Sequence, residues 1–116
     1  MALSPEDDQW CASWIKTRYD PRARSVIVVG HPPEYVHFHE KSHRVQHLDH
    51  PLLWRLWLCP WSRWIPFFRV TFRIVCEYDA HQTARLTLER LGLWNVRNQR
   101  AAKIMLHTYH LTLPQE

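Results

Sequence analysis

The residues best equipped for chemistry are the histidines. Six of the nine lie between His31 and His50, and His39, His43 and His47 step by four. On a helix these three share a face, and imidazoles four residues apart can hold zinc or copper. Glu40 is assigned to a different face, and no cysteine or aspartate pattern completes a ligand set. Histidines also stack on RNA bases and, when protonated, bridge phosphates. Clustered histidines without a ligand signature are weak grounds for a site, so no metal is expected.

Four tryptophans form the second group. Trp54, Trp57, Trp61 and Trp64 fall at helical spacing between Pro51 and Pro66, although Pro60 must kink or split such an element. The stripe can be core, an anchor on a neighbouring protein, or a stacking platform for unpaired bases. Seven tryptophans in 116 residues is a heavy apolar load, and packing against a protein partner ranks first. Arg55 and Arg63 beside the stripe keep base stacking open.

Basic side chains make the third group: Arg69, Arg73, Arg85, Arg90, Arg97, Arg100, Lys103 and His107. Residues 1–50 carry six Lys and Arg against seven Asp and Glu, whereas residues 51–116 carry nine against four. A basic half suits phosphate contacts, which need charge and reach, and arginine's planar fork can clamp two phosphate oxygens. A solvated face with internal pairs is the plain alternative, since Glu89 sits four residues from Arg85.

Nucleophilic chemistry finds little support. Cys11, Cys59 and Cys76 are odd in number and widely spaced, without a Cys-x-x-Cys pair, which fits a reducing compartment. No Gly-x-Ser-x-Gly elbow or phosphate loop occurs, and the histidine run is assigned to no His-Glu-x-x-His signature. The expectation is a chain without catalytic residues, cofactor or small-molecule substrate.

The elements that must position these groups follow from periodicity and caps. Residues 5–19 predict a helix capped by Ser4, and residues 25–39 a hairpin across Gly30-His31-Pro32-Pro33. Residues 69–78 alternate between apolar and polar, the clearest strand pattern in the chain. Asp79 then caps a helix over 80–91 that Gly92 stops, and Ala101–His110 reads as a second helix. The stretch 52–68 is too short and too charged to span a bilayer, and the acidic N-terminus is unlike an organellar presequence.

Three segments carry a resemblance: Arg69-Val-Thr-Phe-Arg73; Gln82-Thr-Ala-Arg85-Leu-Thr-Leu-Glu-Arg90-Leu-Gly92-Leu93; and Asn98 followed by Ala101 to His110-Leu111. In that order they resemble the L-thirty family of large-subunit ribosomal proteins. Cys11-Ala-Ser-Trp14-Ile15-Lys16 with Arg22 and Arg24 is similar to mitochondrial members. The resemblance implies an α+β fold: a β-α-β-α-β unit over 67–116, its antiparallel sheet carrying two helices on one face. A Trp/His-rich extension over 1–66 precedes it. It also implies a structural role in the mitochondrial matrix, with large-subunit ribosomal RNA and neighbouring mitochondrial ribosomal proteins as partners. The rival is an accessory subunit of a mitochondrial respiratory assembly, bound to protein and to the membrane surface through 52–68, without RNA. A metal enzyme built on the histidine cluster is the remote third.

Overall fold

Ser4 starts the first helix as expected. Its hydroxyl accepts the Asp7 N–H at 3.1 Å, Pro5 follows at the first turn, and Glu6, Asp7 and Asp8 face the positive end. The computed structural model describes residues 4–60 and 64–108. Helix α1 spans Pro5–Trp14 and ends five residues short of the expected 19. Thr17 takes over there: its hydroxyl donates to the Val29 carbonyl at 3.1 Å and accepts the Val29 N–H at 2.9 Å. That pairing pulls the chain into β1, Arg18–Asp20.

Strand β1 pairs antiparallel with β2, Ser25–Ile27, in the register Arg18 opposite Ile27. The expected hairpin over 25–39 is therefore corrected. Ser25–Ile27 has an upstream partner, and Tyr35–His39 is helical. Gly30 explains the sharp exit: its φ is +69°, and a Cβ there would lie 2.1 Å from the Ser13 carbonyl oxygen. Only glycine lets the chain pass that close to α1.

Helix α2, Glu34–Asp49, buries Tyr35, Val36, His39, Glu40, Ser42, His43, Gln46 and His47 on one face. The spacing is helical, but the face is mostly polar. No side chain caps its start; instead Asn98 Oδ1 accepts the Tyr35 N–H at 3.0 Å. Helix α3, Pro51–Leu58, follows directly and buries only Trp54.

The strand expected over 69–78 is a helix. It forms the first half of α4, Pro66–Arg90, a 25-residue element whose buried positions are Glu77, Ala80, His81, Ala84 and Leu88. Steps of three and four from Glu77 onward set the helical period. Val70, Ile74 and Val75 stay exposed, so no sheet covers the face that alternation had promised. Gly92, at φ +70°, closes the helix: Leu93 N–H reaches the Leu88 carbonyl at 2.8 Å and Gly92 N–H that of Glu89 at 3.1 Å. Helix α5, Val96–Thr108, starts earlier than expected because Asn95 Oδ1 accepts the Asn98 N–H at 3.0 Å.

The described residues thus form an α+β-like fold of five helices and one two-stranded antiparallel sheet, not the β-α-β-α-β order. The closing strand expected after His110 lies outside the described residues. The hydrophobic core joins Cys11, Trp14, Tyr35 and Val36 to Ala84, Leu88, Ala101, Ala102, Ile104 and Met105. It draws on both sides of residue 66. Helix α2 lies most extensively against α4, and that pairing places the polar face of one against Glu77 of the other.

Candidate metal centre

Two imidazoles and two carboxylates meet between α2 and α4. His39 Nε2 lies 2.8 Å from Glu77 Oε2, and His43 Nε2 lies 3.2 Å from Glu77 Oε1. His39, Glu40 and His43 each offer a ligand atom within 4.8 Å of the other two. All four side chains are buried. Ligand atoms around a tetrahedral zinc, with bonds of about 2.0–2.1 Å, stand roughly 3.3 Å apart. The two nitrogens and the Glu77 oxygens are close to that spacing.

The remaining ring nitrogens are already held. Tyr35 Oη sits 3.2 Å from His39 Nδ1 and 2.8 Å from His81 Nδ1. Burial, aided by the charges of His39 and Arg85, pushes His81 down to about 4, so it is neutral at pH 7 and accepts the Tyr35 proton. The tyrosine oxygen is then free to accept from His39 Nδ1–H. On the other ligand, His43 Nδ1 lies 3.0 Å from Gln46 Oε1. Gln46 cannot turn away, because its amide donates to the Cys76 carbonyl at 3.0 Å and to Asp79 Oδ2 at 2.7 Å. Both histidines therefore present Nε2 to Glu77, with Nδ1 fixed from behind, the arrangement metal-binding histidines use.

Electrostatics agree with the geometry. Burial alone would lower His43, yet the hydrogen bond and charge of Glu77 and the charge of Glu40 lift it to about 9. Burial alone would raise Glu77, yet hydrogen bonds from His39 and His43 hold it at about 2. Glu40 is raised, chiefly by burial, while its Oε2 accepts the Tyr19 N–H of β1 at 2.8 Å. Without a metal these shifts make an ion pair of protonated His43 and anionic Glu77. Zinc would have to displace the His43 proton, after which one carboxylate and two imidazoles would be a donor set suited to it.

A cavity of about 330 Å³ opens onto this centre, lined by Tyr19, Glu40, His43, Trp54, Phe72 and Glu77 among others. Tyr19 is fixed beside it: its hydroxyl donates to the neutral His47 Nδ1 at 2.6 Å. Cys76 also lines the cavity, but burial and then the charges of Glu77 and Asp79 push its thiol up to about 12. In the metal-free chain it is a neutral thiol at pH 7.

The expectation of no metal site missed a signal in plain view. Residues 39–43 read His-Glu-Lys-Ser-His, a His-Glu-x-x-His sequence. Grouping His39 and His43 with His47 drew Glu40 onto a different face. On a helix Glu40 lies only about 60° around the axis from His43, and it is buried beside it. Glu77 could not be found from spacing, because it sat in a segment read as a strand.

The other expected residues are dispersed. Trp54 is buried between Tyr19, Phe72 and the His47 ring, Trp57 packs on Trp54 and Phe72, Trp64 is exposed, and Trp61 lies outside the described residues. Trp54 is therefore core, not a partner anchor. Arg85 pairs with Glu89 and lies over Trp94; Arg100 pairs with Asp7 and lies over Trp10. Arg69, Arg73, Arg90, Arg97, Lys103 and His107 are exposed. The eight do not share a face, since Arg85 stands about 160° around α4 from Arg69. No family model, curated protein or solved structure matches the chain.

Proposed function

We propose that this chain is a zinc-dependent hydrolase of amide bonds, with His39, His43 and Glu77 as ligands and Glu40 as general base. The observation that carries this reading is the convergence of a helical His-Glu-x-x-His segment on one carboxylate from a second helix. Zinc, if held by His39, His43 and Glu77, would supply Lewis-acid polarisation of a substrate carbonyl and a water nucleophile near neutral pH. Glu40, within 4.8 Å of the ligand atoms of His39 and His43, would take the proton from the attacking water and return it to the leaving nitrogen. Its raised affinity for a proton, caused first by burial, suits a group that must do both. The cavity, walled in part by Tyr19, Trp54, Trp57 and Phe72, gives a substrate access to these residues.

The ribosomal expectation fares less well against the geometry. Arg69–Arg73, which carry the first strand of that resemblance, are helical. The expected phosphate-binding side chains are spread around two helices.

The test is metal content and hydrolysis on the same preparations. One zinc per chain should survive dialysis, and a fluorogenic peptide library should be cleaved. Glu40→Gln should keep the zinc and lose roughly 10²-fold or more of the rate. A chain that takes up no stoichiometric zinc from a zinc buffer would sink the reading.

A further inference from the structure

The surface between α3 and the first half of α4 is built unlike the rest of the molecule. From Pro51 to Cys76 the sequence contains no acidic residue. Helix α3 buries only Trp54, and α4 buries nothing before Glu77. Leu52 is 72% exposed and Phe67 81%, with Leu53, Leu56 and Val70 also exposed around them. A helix apolar on the side facing away from its own core needs another apolar medium.

Two hollows shape this surface. A groove of about 520 Å³ runs between the helices, lined by Leu53, Phe67, Phe68 and Val75; Asp79, which also lines it, accepts a hydrogen bond from the Gln46 amide. Beside it, Arg22, Arg24 and Arg55 line a second hollow with Leu52 and Leu58. Arg69 is exposed on α4 between Phe67 and Val70. Apolar side chains that can enter hydrocarbon thus alternate with cations that reach phosphate.

We infer that this face lies on an anionic lipid bilayer, with leucine and phenylalanine side chains inserted among acyl chains and Arg22, Arg24 and Arg55 on headgroup phosphates. A second copy of this chain would bring no acid between Pro51 and Cys76 to meet these arginines. A bilayer supplies both apolar depth and negative charge. The attachment is peripheral, because no helix of the described residues is long and apolar enough to cross a membrane. It is independent of the metal reading, and the Glu40→Gln chain should attach equally well.

The experiment is flotation of the full chain with vesicles of phosphatidylcholine alone and of phosphatidylcholine mixed with phosphatidylglycerol. The chain should float with the mixed vesicles and bind at least about tenfold more weakly to phosphatidylcholine alone. Leu52→Glu with Phe67→Glu should abolish flotation at unchanged circular dichroism. Arg55→Glu with Arg69→Glu, both at exposed positions, should remove the preference for phosphatidylglycerol. Failure to float with either vesicle would overturn the proposal, as would equal binding to both. So would a soluble dimer that Leu52→Glu with Phe67→Glu dissociates.

Discussion

His39 and Glu77 stand 38 residues apart in the chain and 2.8 Å apart in the fold, Nε2 facing Oε2. Helix α2 supplies one and α4 the other, so the site exists only while the two helices are packed. Breaking the pair leaves a buried imidazole or a buried carboxylate without its partner.

Zinc should therefore act on folding as well as chemistry. At a free zinc concentration 100 times its dissociation constant, the wild-type chain should gain about 2.7 kcal/mol of stability. Glu77→Gln should weaken zinc binding by more than about 100-fold, beyond the range usual for outer-shell partners. Thermal melts in zinc and in chelator, run on both chains, check this. Equal melting shifts would refute the assignment of Glu77.

Tyr35 holds His39 at Nδ1, on the side of the ring away from Glu77. Tyr35→Phe keeps the ring in the core and removes only the hydroxyl between His39 and His81. Zinc affinity should fall about 10- to 100-fold, read by competition with a chelating dye. Gln46→Leu should act similarly through His43. A merely structural role for either residue would lower the melting temperature and leave zinc affinity alone.

The metal-free chain should be most stable slightly below neutral pH. Glu77 titrates at about 2 when folded against 4.5 as the ordinary value, so its contribution is complete above 4.5 and lost as pH falls towards 2. His81, depressed to about 4, adds loss in the same direction below 6.5. His43 runs the other way: raised to about 9, it stabilises fully below 6.5 and less as pH climbs to 9. Glu40, raised as well, shares that sign. Chelated protein melted from pH 3 to 9.5 should show a maximum near pH 6 to 6.5. Zinc, which displaces these protons, should bind more tightly as pH rises across the upper window.

Gly30→Ala should cost at least about 2 kcal/mol, since it forces a positive φ on a residue with a Cβ. The new atom would also meet the Ser13 carbonyl. Gly92→Ala carries the φ penalty alone, with nothing within 4 Å of its Cβ. Urea titration should rank the first well above the second.

Local signals in the sequence were legible where one residue decides. Ser4 started a helix, Gly92 stopped one, and Gln82–Arg90 was helical as read. The misreadings came from segments whose partner lies far away. Residues 69–78 carry β-branched and aromatic alternation, and only the continuation of the Glu77–Leu88 face commits them to helix. Ser25–Ile27 reads as half a hairpin in either direction until Thr17 and Val29 pair. The metal centre was half legible: His39, Glu40 and His43 are adjacent in sequence, whereas Glu77 is joined to them only by packing.

The pairing of α2 with α4 has a topological consequence. An ion shared by His39 and Glu77 would close a loop of 38 residues, a tether that in the chain-entropy treatment of cross-links removes about 4 kcal/mol of unfolded-state freedom. Leu52, Arg55, Phe67 and Val70 all lie inside that loop. The exposed apolar surface between α3 and α4 is thus the middle of a bight whose two ends meet at one point, and a bound ion would shorten the unfolded chain's reach there without touching the face itself.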